Sequence, residues 1–195
     1  YINTERKAFA KRAKRHVNAK QSVHTSPTPR VGGLAIALGI LSGALLSGDD
    51  IFAALLWSVL PIFVVGLLED LGPDTPPSLR LGVASLSAVL AIYVLGVYIH
   101  RLDLAAADWL LGIPFIAMVF SVFASAGMTH AINLVDGLNG LSSAVVITIM
   151  GTLGYVAWSY GHSDLLFMSL TICVAFFGFM CVNFPYGNIF LGDAG

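Results

Sequence analysis

The sequence predicts an all-α fold, a polytopic bundle of transmembrane helices that forms a single membrane domain over residues 1–195. Hydrophobic residues make up 57% of the chain and charged residues only 11%, whereas about a quarter of residues are charged in soluble domains. Six apolar runs carry no charge, and each approaches the length of about 20 residues that a spanning helix needs. These observations argue against a water-soluble globule.

A basic arm precedes the apolar runs, because seven of the ten lysine and arginine residues lie within residues 1–20. Such an arm could bind nucleic acid. Beside apolar spans, however, it is typical of a cytoplasmic segment near anionic lipid headgroups. We therefore expect no nucleic acid partner, and we expect residues 1–31 to be cytoplasmic.

Six spans are predicted after the arm. Their apolar character on every side favours helices over barrel strands, which alternate in polarity. The runs are 32–48, 51–68, 81–99, 109–127, 141–159 and 165–182. Short connections make the crossings alternate, and the basic arm places the first loop inside. The other cytoplasmic segments are then 69–80, 128–140 and 183–195.

The first inside segment ends in the loop HTSPTPRVGG at residues 24–33. Prolines stiffen this loop, glycines permit close backbone approach, and Arg30 offers a planar fork for a phosphate. His24 and Arg30 are thus candidate substrate-binding residues. A rigid turn with Arg30 as a topological anchor is an equally open interpretation.

The second inside segment opens with two adjacent acids, Glu69 and Asp70, at the end of a span. Adjacent carboxylates repel each other, and the helix dipole disfavours acids at a C-terminus. A proton-transfer role or a bound cation would explain the pair, which makes both residues catalytic candidates. The alternative is a solvated helix end.

The third inside segment places Asn133, Asp136 and Asn139 at intervals of three residues. A helix would align them on one face, whereas Gly137 and Gly140 suggest a tight turn. Either geometry would gather oxygen and amide groups suited to a magnesium ion or a nucleobase edge. A plain Asx-rich turn is the alternative.

The fourth inside segment, NFPYGNIFLGDAG, covers residues 183–195. Glycines on both sides of Asp193 would let its carboxylate approach a phosphate or its metal ion closely. Phe190 could stack on a base. Each residue alone could instead be an interfacial anchor or a turn residue.

These four motifs in order, PTPRVGG, the acidic pair, NLVDGLNGL and NFPYGNIFLGDAG, resemble the polyprenyl-phosphate N-acetylhexosamine-1-phosphate transferase superfamily, glycosyltransferase family 4. The likeness extends from about His24 to Gly195. The complete enzymes of that superfamily are bundles of about ten membrane helices. The resemblance therefore leads us to expect a fragment that lacks the first span and the C-terminal part.

The resemblance implies transfer of a sugar 1-phosphate, an N-acetylhexosamine 1-phosphate, from a UDP-sugar to undecaprenyl phosphate with release of UMP. Magnesium would be the cofactor, with manganese as an alternative ion. The enzyme would serve bacterial cell-envelope polysaccharide synthesis as a multi-pass protein of the inner (plasma) membrane, in contact with the lipid bilayer. Its active site would be cytoplasmic, and a homodimer is left open.

The resemblance also assigns roles to the acids. Asp70 matches the second acid of the family's acidic pair and is the candidate base for the lipid phosphate, while Glu69 replaces the first acid. Asp193 matches the acid of the family's Phe-x-Gly-Asp motif and is the candidate magnesium ligand. Asn133 and Asp136 match pocket positions and are candidate metal ligands. Asn133 is also a candidate substrate-binding residue, and Asp136 is also a catalytic candidate.

Three further candidate substrate-binding residues follow from the same resemblance. Asn183 matches a pocket asparagine, and Phe190 matches an aromatic residue near uracil. Asn139 stands where the peptidoglycan branch usually has Asp. Because of this difference and the motif PTPRVGG, the sequence resembles the UDP-GlcNAc:undecaprenyl-phosphate transferases that initiate O-antigen and teichoic acid synthesis more than the phospho-MurNAc-pentapeptide transferase.

A secondary membrane transporter is the alternative function. Transporters usually carry ionisable residues near the bilayer midplane and often contain inverted repeats. These spans carry no charge and show no clear repeat. A scaffold subunit would leave the acidic loops unexplained.

Overall fold

The computed structural model describes residues 29–72 and 75–195, so the candidate residue His24 lies outside the described residues. Every described element of secondary structure is an α-helix, which confirms the all-α prediction. In chain order the helices are α1 (Gly32–Ser47), α2 (Asp50–Leu71), α3 (Pro77–Leu95), α4 (Ala105–Leu111), α5 (Pro114–Val135), α6 (Leu141–Ser159) and α7 (Ser163–Asn183).

Among the described residues, five helices are long and apolar enough to cross a membrane, namely α2, α3, α5, α6 and α7. The sixth predicted span is the apolar helix α1, which has 16 residues. Its length of about 24 Å falls short of a hydrocarbon core of about 30 Å. The helix stops there because Gly48 adopts a left-handed conformation (φ 65°). Asp49 then caps α2 by accepting a hydrogen bond from the N–H of Ile51 (2.7 Å).

Several predicted boundaries differ from those of the helices. The predicted span 109–127 is divided between α4 and α5, because Pro114, which lacks an N–H, begins a new helix. Helix α5 then continues to Val135, so Asn133 lies in its last turn rather than in a loop. Helix α2 likewise continues to Leu71 and includes both acids of the second motif. Polar residues in a final helical turn look like loop residues in a sequence.

The core lies between α1, α6, α7 and the segment that follows α7. It contains Ile36 of α1, Val146 of α6, Phe176 and Phe179 of α7, and Leu191, whose exposure is 0%. Leu191 therefore fastens residues 184–195 to the bundle.

The outer faces of the helices stay apolar. Trp57, Tyr93 and Phe115 are each more than 70% exposed. Such faces suit contact with lipid, in which the helices satisfy their own backbone groups.

The first and fourth motifs pair along their backbones. The N–H of Phe190 donates to Pro29 O (3.0 Å), the N–H of Gly32 to Phe190 O (3.0 Å), and the N–H of Gly33 to Leu191 O (2.7 Å). Hydrogen bonds also join the fourth motif to the second and third motifs. The described parts of all four motifs thus meet at one end of the bundle, as the alternation of spans predicts. The side of the membrane stays a prediction.

Candidate active site

The segment 184–195 forms the centre of the site and seats against α2. It approaches so closely that a Cβ on Gly66 of α2 would collide with the backbone of Asp193. Gly192 has a φ of 81°, and a Cβ there would collide with the Asp70 carboxylate. Both positions therefore require glycine, because any larger residue would push the segment away from α2.

The Asp70 carboxylate binds backbone N–H groups of this segment. Its Oδ1 accepts a hydrogen bond from the N–H of Asp193 (2.9 Å), and its Oδ2 accepts one from the N–H of Ala194 (3.0 Å). Each carboxylate oxygen retains a second lone pair. Asp70 can therefore orient Asp193 and still accept a proton from a ligand.

Asp193 is the residue on which the motifs converge, and its side chain is only 11% exposed. Its Oδ1 accepts hydrogen bonds from Asn133 Nδ2 (3.1 Å) and Arg80 Nη1 (3.1 Å). Its Oδ2 pairs with Arg30 Nη1 (3.3 Å). The structure thus brings together Arg30, Asn133 and Asp193, three residues predicted for the site from separate motifs.

Glu69 faces α3 and forms an ion pair with Arg80 Nη2. Its other oxygen accepts a hydrogen bond from the hydroxyl of Thr75, and Arg80 Nε donates to that hydroxyl oxygen (3.3 Å). Sequence reasoning missed Arg80. One signal was available, since Arg80 is the only basic residue of the segment 69–80.

Asp136 lies beside the site but turns toward α6 and the fourth motif. Its Oδ1 accepts a hydrogen bond from the Ser142 hydroxyl (3.0 Å), and its Oδ2 accepts one from the N–H of Leu191 (3.1 Å). Burial raises the pKa of this carboxyl, and the two hydrogen bonds oppose that rise. In this arrangement Asp136 supports the segment that carries Asp193. Its catalytic and metal-binding roles stay predictions.

Two predicted substrate-binding asparagines fasten the third motif to the fourth. Asn183 is 1% exposed, accepts a hydrogen bond from the N–H of Gly140 and donates to Ile189 O (2.7 Å). Asn139 donates to Pro185 O (2.8 Å). Their contacts hold backbone, so they shape the walls around the site. Their substrate-binding roles stay predictions.

An open cleft lies beside Asp193, between α2, α3 and α5. Its polar side chains are Glu69, Arg80, Thr129, His130, Asn133 and Asp193. Its apolar wall consists of Ile62 and Val65 of α2 and Val83 of α3. The cleft therefore presents charge and a hydrocarbon surface side by side. Sequence reasoning did not place His130 or Thr129 here, and their helical spacing from Asn133 was the available signal.

The donor chemistry at the cleft suits magnesium. Within the described ranges no group of three or more His, Cys, Asp or Glu side chains is arranged for a metal ion. Magnesium, however, usually takes one or two carboxylates and completes its shell with water and substrate phosphates. The Asp193 carboxylate and the Asn133 amide oxygen could be the protein ligands of such an ion. Asp136 instead faces Ser142 and the N–H of Leu191.

Comparison with known proteins shows the family of the chain. The sequence model of the family "Glycosyl transferase family 4" matches residues 52–195. A probable undecaprenyl-phosphate N-acetylglucosaminyl 1-phosphate transferase of Bacillus subtilis (strain 168) is 31% identical, over 91% of this chain and 50% of that protein. A phospho-N-acetylmuramoyl-pentapeptide-transferase of Streptococcus pyogenes serotype M5 (strain Manfredo) is 28% identical, over 92% of this chain and 58% of that protein.

A further phospho-N-acetylmuramoyl-pentapeptide-transferase, of Streptococcus pneumoniae (strain Hungary19A-6), is 26% identical over 100% of this chain and 63% of that protein. The chain thus spans between half and about two thirds of the length of these relatives. Because the family match covers most of its residues, the chain belongs to glycosyl transferase family 4.

Proposed function

We propose that the whole protein transfers a sugar 1-phosphate, an N-acetylhexosamine 1-phosphate, from a UDP-sugar to undecaprenyl phosphate and releases UMP. The observation that carries this proposal is the convergence of Arg30, Arg80 and Asn133 on Asp193 beside a partly apolar cleft. The names of the relatives support the same reaction class. They leave the transporter alternative without support.

The cleft suits an acceptor that joins a phosphate to a hydrocarbon. Its polar end carries Arg80 and Asp193, and its apolar wall includes Ile62 and Val83. A lipid phosphate at the polar end would leave its prenyl chain against the apolar wall, beside the membrane. A purely water-soluble acceptor would make no use of that wall.

Two guanidinium groups are suited to the donor pyrophosphate, because arginine binds phosphate oxygens with two parallel hydrogen bonds. In the described conformation Arg30 and Arg80 both contact Asp193. On binding, the pyrophosphate oxygens would take over those contacts in part. Asp193 and Asn133 would hold magnesium, which when bound neutralises charge on the pyrophosphate.

Asp70 is the proposed base. With both oxygens fixed by backbone N–H groups, it can take the proton of the lipid phosphate without reorienting. The lipid phosphate oxygen then bonds to the β-phosphorus, the bond from that phosphorus to the bridging oxygen breaks, and UMP leaves with that oxygen. Phe190 is the proposed stacking partner of uracil.

The proposed location is the cytoplasmic face of the bacterial plasma membrane, from the basic arm at residues 1–20. Within the family, we propose that the protein belongs to the branch of enzymes that initiate O-antigen or teichoic acid synthesis. The motif PTPRVGG and Asn139 support this choice.

The test uses the full-length protein in membranes, with undecaprenyl phosphate and a panel of radiolabelled UDP-sugars that includes UDP-GlcNAc. We expect lipid-linked product and UMP in equal amounts with at least one donor. Chelation of divalent ions should abolish both products, and magnesium should restore them. Failure to form product with any donor, in the presence of magnesium or manganese, would contradict the proposal.

A further inference from the structure

We propose that Glu69 is a positioning residue, which fixes the guanidinium of Arg80 at the polar end of the cleft and does not itself react with substrate. This inference rests on the proposed function and assigns a role within the same site. It separates the two acids of the second motif into different tasks.

Helix geometry separates the two acids. Neighbouring residues on an α-helix point about 100° apart. Asp70 consequently reaches the backbone of the fourth motif, while Glu69 reaches Arg80 on the adjacent helix α3. The two carboxylates have different partners, so they do not behave as one proton-sharing pair.

Both oxygens of Glu69 are already engaged. Oε1 pairs with Arg80 Nη2, and Oε2 accepts from the Thr75 hydroxyl. The side chain is only 5% exposed. The cation on one oxygen and this enclosure leave Glu69 poorly placed to take a proton from a ligand, whereas the oxygens of Asp70 accept hydrogen bonds from neutral backbone N–H groups.

Arg80 is held from two sides. Its Nη2 contacts Glu69 and its Nε donates to Thr75 Oγ1 (3.3 Å). These contacts aim the remaining nitrogen, Nη1, at Asp193 Oδ1 (3.1 Å). A planar fork with fixed orientation is the form in which arginine recognises phosphate best. A ligand phosphate near Asp193 would therefore meet a guanidinium that is already oriented.

The length of the Glu69 side chain fits this role. An aspartate at the same position is shorter by one methylene group and would not bring its carboxylate equally close to both Arg80 and Thr75. The substitution Glu69→Asp thus keeps the charge but weakens the hold on Arg80. The substitution Glu69→Gln keeps the length but removes the charge.

A double-mutant cycle in the full-length enzyme tests the proposal. The variants are Glu69→Gln, Arg80→Lys and their combination, with kcat and the KM for the UDP-sugar measured for each. We expect each single change to raise KM about tenfold, the lower end of the effect seen when residues that orient metal ligands are changed. The combined variant should be no worse than Arg80→Lys alone, because both changes break one contact.

A base would give a different result. If Glu69 reacted with substrate, Glu69→Gln would lower kcat and remove the acidic limb of the pH profile, also in the Arg80→Lys background. If the effects of Glu69→Gln and Arg80→Lys multiplied in the combined variant, the inference would be overturned. Should Glu69→Gln fail to fold, Glu69→Asp is measured instead: positioning predicts a raised KM with kcat unchanged, whereas a displaced base would lower kcat.

The exposed ion pair of Arg101 and Asp103 provides a matched control, because its side chains are 72% and 77% exposed and lie outside the site. Its cycle, Arg101→Lys with Asp103→Asn, should leave KM and kcat unchanged. If the unmodified enzyme forms UMP from no UDP-sugar, the proposed function fails and the inference fails with it. If the enzyme is active but the Glu69 and Arg80 effects multiply, only the inference fails.

Discussion

Polar side chains at the two ends of the bundle behave in opposite ways. At the end without the motifs, Arg101 pairs with Asp103, two positions away, and Asp49 caps the helix that follows it. At the motif end, Asp193 binds Arg30, Arg80 and Asn133, which lie 163, 113 and 60 positions away. The number of charges does not distinguish the site from an ordinary loop. The site is distinguished by the number of positions along the chain that separate the residues in contact.

The two ends should also differ in energy. Exposed ion pairs contribute roughly 0 to 1 kcal/mol. Removing one partner of a fully buried pair costs about 3 to 5 kcal/mol. The pairs of Asp193 lie between these limits, because Asp193 is 11% exposed while Arg30 and Arg80 are 39% and 32% exposed. The comparison therefore predicts large effects of substitution at one end and small effects at the other.

Asp193→Asn should have the largest effect. The amide cannot neutralise two guanidinium groups or hold a metal ion as the carboxylate can, so we expect UMP release to fall at least about 100-fold. Turnover is measured in membranes, and the amount of inserted protein serves as the control for folding. Activity close to that of the unmodified enzyme would remove Asp193 from the site.

Gly66→Ala should come next. The added Cβ would meet the backbone of Asp193 and displace the fourth motif, which costs about 1 to 3 kcal/mol of stability. Thermal unfolding in detergent and UMP release are the measurements.

Gly82→Ala on α3 is the matched control, since a Cβ there would meet no atom within 4 Å. It should leave stability equal or slightly higher, because alanine favours helix. Equal behaviour of the two variants would show that the close approach of α2 to the fourth motif does not matter.

Asp136 should make the stability depend on pH, with an effect smaller than that of Gly66→Ala. Its pKa in the folded protein lies above the ordinary value of 3.8, so the folded state binds this proton more tightly than the unfolded state does. Ionised Asp136 therefore costs stability above its folded pKa, and that cost disappears as pH falls toward the ordinary value.

Asp136→Asn should remove this part of the pH dependence, although it also alters the contacts with Ser142 and Leu191. The slopes of unfolding free energy against pH for both proteins provide the measurement. A variant with the same slope in the acidic range would argue against a raised pKa.

Asp103→Asn should have the smallest effect. The pair with Arg101 is exposed and local, so we expect a loss of less than about 1 kcal/mol and no change in turnover. Thermal unfolding and UMP release check both parts. A large loss of activity would contradict the predicted difference between the two ends of the bundle.

The spans could be predicted because lipid demands long uncharged runs, and this demand is visible in the sequence. The meeting of the four motifs could be predicted because spans alternate in direction. The contacts of Arg80 and of Asn183 could not be predicted, since they depend on which helices pack together. Helix ends were also missed, because Asn133 and Glu69 are polar residues in helical turns.

The backbone pairing of Pro29 with Phe190 has a consequence for biosynthesis. A nascent chain emerges from its N-terminus onward, so residues near Pro29 wait for their partners until α7 and the segment after it have been made. Arg30, Asp70 and Asn133 would each enter the membrane boundary before Asp193 exists. The candidate site is thus completed only after α7 and the segment that follows it have been made, and the core that joins α1, α6 and α7 is completed at the same stage.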